Sequence, residues 1–173
     1  MPERPSVIDF SGLYQAHARD VRRFVLLLSG DPALADDIVS ETFIRLWNAR
    51  ARVDLRTVRA YLLTIARNLF LDERRRARRN AMLDEQVEDG QPGPEERVDS
   101  RRELRAVMAA LQALPEIDRA AVLMRADEGL PYEEIAAALK ISLAAARVKV
   151  HRARLVLAKV RLEGGPGAAG RET

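Results

Sequence analysis

Apolar side chains recur in steps of three and four through the first half of the chain, the period that places them on one face of an α-helix. Phe10, Leu13, Tyr14, Val21, Phe24, Val25 and Leu28 form the first stripe, with His17 inside it. Ser29-Gly30 then reads as a stop. Asp31-Pro32 supplies an N-cap and a first-position proline, and Ala35, Ile38, Val39, Thr42, Phe43 and Leu46 stripe a second helix to about Trp47. Asn48 to Thr57 is polar and basic with no apolar period, which predicts a loop. A third helix, Val58 to about Arg79, carries Tyr61, Leu62, Ile65, Ala66, Leu69 and Phe70 inward and finishes in the run ERRRARR.

The second half repeats the helical period over Arg101 to Ala113, Pro115 to Ala126, Tyr132 to Leu139 and Ser142 to Leu162. Pro115 and Pro131 fit first helical positions, Gly129 a stop and Ser142 an N-cap. Only Lys140 and Ile141 separate the last two helices. A short apolar helix, a tight turn and a longer basic helix make a helix-turn-helix pattern. Nothing alternates with the strand period, so the fold class expected is all-α, two small helical domains joined by a flexible acidic linker. The expected boundaries are 10–80 and 101–162 for the domains, 81–100 for the linker and 163–173 for a disordered tail. The linker reads DEQVEDGQPGPEERVDS from Asp84, with Gly and Pro clustered and almost nothing apolar to bury. Such a tether predicts domains that move independently.

Charge changes this picture. The 173 residues carry a net charge of +3, but 15 Lys+Arg face 10 Asp+Glu in residues 1–80, 1 faces 7 in 81–100, and 13 face 9 in 101–173. Two basic blocks around an acidic stretch suggest two polyanion-binding modules on one tether. With no cysteine and two histidines far apart, the sequence offers no thiolate chemistry and little for a metal site, and a reducing, cytoplasmic setting is expected. No apolar run approaches the roughly 18 to 20 residues of a membrane span, and Met1 to Ser11 lacks a signal-like core.

The candidate chemistry is recognition rather than catalysis. In the last helix Ala146, Val150, Ala153 and Leu157 bury one face, leaving Arg147, Lys149, His151, Arg152 and Arg154 to meet phosphates and base edges in a major groove. A solvated surface helix is the plainer alternative. Arg67, then Arg74, Arg75, Arg76, Arg78 and Arg79, accompany Tyr61, Asn68 and Phe70, a combination that can stack and hydrogen-bond unpaired bases, although both aromatics could equally be core. Asp31, Asp36, Asp37 and Glu41 form an acidic face without an intervening Lys or Arg, suited to a basic protein partner. Read as a magnesium site the acids fit poorly, since only Asp37 and Glu41 converge at i, i+4. Asp31 and Asp36 also complement the helix dipole. His17 reads as a satisfied, partly buried histidine. There is no phosphate loop, nucleophile elbow or HExxH, so neither an enzyme active site nor a cofactor is expected.

Three stretches in order, ADDIVSETFIRLW from Ala35, RAYLLTIARNLFLDERRR from Arg59, and LPEIDRAAVLMRADEGLPYEEIAAALKIS followed by ARVKVHRARLVL from Leu114, resemble bacterial RNA polymerase sigma factors of the extracytoplasmic-function group. The resemblance covers nearly everything from Phe10 to Leu162. It implies a region-two domain and a region-four domain, with Asp37, Ser40 and Glu41 contacting the clamp helices of the polymerase largest subunit and region four reaching its flap. By the same resemblance Arg56, Arg59, Tyr61, Arg67, Asn68, Arg74 and Arg75 capture and melt the promoter −10 region. Ser142, Arg147, Lys149, His151, Arg152 and Arg154 read the −35 element. The linker threads near the RNA exit path, and a separate anti-sigma protein is an implied partner. Where the family usually has Gly in the helix-turn-helix turn this chain has Lys140. A non-glycine residue at positive φ costs roughly 1 to 2 kcal/mol, which predicts a turn of different shape.

Two other functions compete with that reading. A stand-alone helix-turn-helix regulator would bind a dyad-related duplex site tightly by itself, whereas a sigma factor would bind weakly and under salt control until core polymerase is present. A nucleic-acid enzyme would need metal-dependent turnover without polymerase.

Overall fold

A computed structural model of the chain describes residues 9–83 and 100–164, all of whose regular structure is helical. The helices are α1 (Phe10–Ser29), α2 (Pro32–Ala49), α3 (Val58–Leu83), α4 (Ser100–Ala113), α5 (Glu116–Ala126), α6 (Tyr132–Leu139) and α7 (Leu143–Gly164). The stretch from Asn48 to Thr57 is not a plain loop. The second helix continues to Ala49, and two 3₁₀ turns, Arg50–Arg52 and Leu55–Thr57, lead into α3. Residues 84–99, most of the expected linker, and 165–173 of the expected tail lie outside the described residues.

Local chemistry sets the helix ends. Asp9 accepts the Gly12 N–H at 3.0 Å and caps α1. Gly30 stops the helix at φ +74°, a left-handed conformation natural to glycine, with its N–H on the Leu26 carbonyl at 2.8 Å. Asp31 accepts from Ala33 and Leu34 N–H at 3.0 and 3.1 Å to open α2, with Pro32 at the first position as expected. Pro115 and Pro131 do not enter their helices. Each is the N-cap itself, in extended backbone with ψ of 140° and 149°.

The helix-turn-helix keeps its left-handed turn despite the lysine. Lys140 sits at φ 55°, ψ 46°, capping α6, and the following Ile141 N–H reaches the Ala136 carbonyl at 3.0 Å. The expectation of a differently shaped turn is therefore corrected. The exposed lysine adopts the strained conformation because two backbone bonds close the turn around it.

The stripes read from sequence face inward. Val21, Phe24, Val25 and Leu28 of α1 meet Ala35, Ile38, Val39, Phe43 and Leu46 of α2 and Leu62, Leu63, Ala66, Leu69 and Phe70 of α3. Tyr14 is an exception: it lies nearly half exposed at the edge, its ring 4.8 Å from that of Phe43. In the second half Ile135 and Leu139 of α6 and Ala146, Val150 and Ala153 of α7 close over α5.

The expected independence of the two halves is not what the described residues show. Helix α1 packs on α4 and α5, helix α3 packs on α6, and one contiguous apolar cluster runs through both halves. The polar reason lies at the end of α1, whose last carbonyls have no partner within their own helix. Arg119 of α5 is buried and donates to the Leu28 carbonyl at 2.5 Å, to Gln112 Oε1 at 2.9 Å and to the carbonyls of Gln112 and Leu114 at 3.0 Å each. Gln112 in turn donates Nε2 to the Leu27 carbonyl at 3.0 Å. Burial pulls the Arg119 guanidinium below its usual range, with Arg74 adding to the effect and Glu116 opposing it.

Candidate nucleic-acid and polymerase interface

Helix α7 shows two kinds of basic residue. Arg147, His151 and Arg154 recur at i, i+4 and i+7 on its exposed face. Lys149 is different: it turns inward and donates Nζ to Asp118 Oδ1 at 3.1 Å, while Arg152 Nη1 stands 3.8 Å from the other oxygen. Asp118 is 1% exposed, so Lys149 and Arg152 answer a buried carboxylate on α5 before any phosphate. Ser142 Oγ accepts the Ala145 N–H at 3.0 Å, which makes it the expected N-cap and holds the helix entry. The Arg147 guanidinium also stands 5.8 Å from the centroid of the Tyr132 ring. Exposed Val148 and Leu155 run alongside, an apolar pair that charge reasoning passed over and that could meet thymine methyl groups.

The acidic surface of α2 is resolved into separate tasks. Asp31 caps, and Asp36 accepts from Arg22 Nε of α1 at 2.6 Å, which holds its carboxyl below the ordinary carboxylate value. Glu41 pairs with Arg45 one turn on at 3.0 Å. Asp37, Ser40 and Glu41 share the outward face at i, i+3 and i+4, with Ser40 Oγ on the Asp36 carbonyl at 3.2 Å. Asp37 and Glu41 line a groove between α2 and α3 together with Leu69, Glu73 and Arg76. Ile44 continues the same face and is 54% exposed, an apolar centre that acidic patterning did not reveal. Near it Trp47 lies edge-on to Phe10 at 5.3 Å with Arg50 over its ring at 4.1 Å.

The residues expected at the −10 region divide by the face of α3 they occupy. Asn68 and Arg75 are exposed, Arg75 pairing with Asp72 at 3.0 Å. The Arg74 guanidinium lies 5.6 Å from the centroid of the Phe70 ring, and Phe70 itself is core. Arg56 forks onto Asp54 at 2.9 Å at the loop before α3. Arg59, Tyr61 and Arg67 instead face the other half of the molecule. Arg67 donates Nε and Nη2 to the two oxygens of Glu116, both at 2.7 Å, with about a tenth of either side chain exposed. Arg59 donates Nη1 to the Glu128 carbonyl at 3.0 Å and Nη2 to Asp20 Oδ2 at 2.8 Å, and its Nε lies 3.5 Å from the Glu128 carboxylate. Arg23 reaches Asp127 at 2.8 Å and Glu128 at 3.5 Å. Tyr61 lines a cleft closed on the far side by Glu134, Ala137 and Ala138 of α6.

Glu128 was not singled out by sequence and is the most perturbed carboxyl of this surface. Burial, with Asp20 and Asp127 beside it, pushes it from 4.5 up to about 7, against the pull of Arg59 and Arg23. His17 is half-buried with no hydrogen-bond partner on Nδ1, so it is not the satisfied histidine expected. Burial and the neighbouring Arg59 lower its pKa, opposed by Asp20.

Among the described residues no helix is long and apolar enough to cross a membrane. The family described as Sigma-70 region 2 matches residues 13–80, and Sigma-70, region 4 matches residues 104–157. The chain is 37% identical over 147 residues to the ECF RNA polymerase sigma factor SigE of Mycolicibacterium smegmatis, covering 82% of this chain and 57% of that protein's length. It is 33% identical over 146 residues to the ECF RNA polymerase sigma factor SigL of Mycobacterium tuberculosis, covering 82% of each, and 32% identical to the ferric citrate uptake sigma factor FecI of Escherichia coli, covering 84% and 87%. Its fold is similar to that of the sigma factor RpoE from Bartonella quintana, solved with the anti-sigma factor NepR, at a TM-score of 0.77 and 24% identity, covering 88% and 96%. It is also similar to CnrH, solved with the cytosolic domain of CnrY, at 0.65 and 23%, covering 90% and 89%. With region two preceding region four, an exposed acidic face on α2 and a cationic α7 in a helix-turn-helix, the chain belongs to the extracytoplasmic-function sigma factors, the initiation factors that direct RNA polymerase to promoters.

Proposed function

We propose that this chain is a dissociable initiation subunit of the cytoplasm that carries no active site of its own. Region two, 10–80, docks on the clamp helices of core polymerase through Asp37, Ser40 and Glu41, with Ile44 as the apolar centre of the contact. The same region captures the −10 strand with Arg56, Arg59, Tyr61, Arg67, Asn68, Arg74 and Arg75. Region four, 101–162, reads the −35 element and rests on the flap. Arg147, His151 and Arg154 approach the groove, the exposed Arg152 reaches the phosphate backbone, Lys149 braces the recognition helix on Asp118, and Ser142 presents the helix. Two weak DNA contacts become selective when polymerase fixes their separation, an effective-concentration gain that needs no new contact. An anti-sigma protein that covers these faces is the expected inhibitor, since the solved RpoE and CnrH are each bound to a second protein.

The observation that carries this reading is the segregation of faces: exposed acids on α2 and exposed cations on α7, on different helices of one chain. Run-off transcription by sigma-free core polymerase on a library of start-site DNA tests it. Discrete new starts sharing two upstream elements are expected with the protein and not without it. Asp37→Arg with Glu41→Arg is expected to abolish retention on core. Retention by that double variant would move the docking site elsewhere.

A further inference from the structure

The outward side of α7 carries a line of apolar side chains among its cations. Between Leu143 and Val150 the exposed residues are Ala144, Arg147 and Val148. Val148 is 52% exposed, and it stands two residues from both Ala146 and Val150, which are fully buried. At about 100° per residue that spacing turns Val148 directly away from the core. Ala144 lies one turn before it on the same line. Leu155, also exposed, continues the line about 10 Å further along the axis. Arg147, His151 and Arg154 flank it on one side and Arg152 on the other, with no acid anywhere from Ser142 to Leu162.

That surround fits the apolar line to the floor of a DNA groove rather than to an apolar protein surface. Against protein the flanking cations would lose water without gaining an anion. In a major groove phosphates line both edges, and the strip between them is made of base edges. The first turns of a recognition helix are the ones that reach those edges. The Ser142 cap, accepting the Ala145 N–H at 3.0 Å, starts the helix so that Ala144 and Val148 fall in these turns. Neither side chain has a donor or an acceptor. Facing an amino, carbonyl or ring-nitrogen edge, they would strip water from a polar group and give nothing back. The C5-methyl group of thymine is the one apolar feature that a base pair shows in this groove.

We propose that Val148, with Ala144 beside it, is a specificity-determining residue that selects thymine in the −35 element by packing on the C5-methyl group. The assignment rests on the −35 role given above to α7, and it names the base that this helix prefers at its centre.

The start sites found by run-off transcription supply the element. Promoter DNA is then made with one −35 thymine at a time replaced by deoxyuridine, which removes only the methyl group and keeps the base pair. Binding by the holoenzyme, core polymerase with the full chain, is read in competition with unmodified promoter. At one or two neighbouring thymines the loss is expected to be about 4-fold, the factor that burial of one such carbon gives. A C·G pair placed there is expected to bind better when its cytosine carries a 5-methyl group. Val148→Ala puts the best helix former at an exposed position, so the fold is kept. Holoenzyme with this variant is expected to bind thymine and deoxyuridine alike at the affected position.

Deoxyuridine that is neutral at every −35 thymine, or an element without thymine, overturns the methyl contact and leaves the −35 role of α7 standing. A deoxyuridine effect that survives Val148→Ala assigns the methyl group to another residue and overturns it too. Weaker retention of Val148→Ala on core polymerase, with no deoxyuridine effect in the parent, would set this face against protein and overturn it as well. Start sites that share no upstream element near −35 would remove the role of α7 itself, and the proposal with it.

Discussion

Two buried carboxyls carry opposite lessons. Glu128 has a carboxyl raised to about 7 where it is buried and an ordinary value of 4.5 when exposed. A raised acid favours the folded state when protonated, so its contribution is complete below about pH 4.5 and is lost as pH rises through about 7. The full difference is worth about 3 kcal/mol. Thermal midpoints of the parent and Glu128→Gln, measured from pH 5 to 8, should diverge with the parent losing stability relative to the variant as pH rises. His17, whose lowered pKa works in the opposite sense over part of that range, is common to both proteins and cancels in the comparison. Asp118 is held by the cations of α7 instead. Asp118→Ala should cost about 1 to 3 kcal/mol in urea unfolding, because Lys149 and Arg152 lose the acceptor that fixes them. An unchanged midpoint would mean that Lys149 simply turns to solvent.

At the scale of the element, turn chemistry decides where strain is stored. Lys140 holds the left-handed cap of α6 without being a glycine. Relieving about 1 to 2 kcal/mol of side-chain conflict against about 0.5 to 1 kcal/mol of extra unfolded-chain entropy, Lys140→Gly should stabilise by about 0.5 to 1 kcal/mol. Its exposed side chain means that no packing is lost to obscure the gain. Asp31 is the converse, an unstrained residue whose side chain caps the start of α2. Asp31→Ala, which strands the Ala33 and Leu34 N–H groups, should cost about 1 kcal/mol by denaturant titration. An N-cap change that left stability untouched would show that α2 is held by its apolar face alone.

At the scale of the whole molecule, a shared core predicts shared cooperativity. Trp47 is the sole tryptophan and lies in the first half, whereas far-ultraviolet circular dichroism reports helices of both halves. The fluorescence and dichroism transitions should coincide in the parent. Arg119→Ala removes the bridge from α5 to the end of α1, leaving the Leu28 carbonyl with only the long 3.5 Å contact from Gln112 Nε2 and stripping a donor from the Gln112 and Leu114 carbonyls. It should cost about 2 to 4 kcal/mol and split the two transitions. Transitions that stay separate in the parent would mean that the contact between the halves is too weak to couple them.

The helices and their stops were legible along the chain because amphipathic period, proline and N-capping act within a few residues. Asp31-Pro32 and Ser29-Gly30 mark their boundaries without reference to the rest of the fold. The outward cations of α7 and the acids of α2 could be listed for the same reason. What could not be read is how those charges are spent. Arg67 meets Glu116 across 49 residues, Arg59 meets the Glu128 carbonyl across 69 and Arg23 meets Asp127 across 104. Each of these residues looks like a solvated surface charge in its own segment. Local pattern identifies side chains that must be buried or may be solvated, but ion pairs between remote segments exist only once packing brings them within a few ångströms. The arginines of α3 were therefore visible in sequence, and their engagement by the other half of the same chain came only from the tertiary fold.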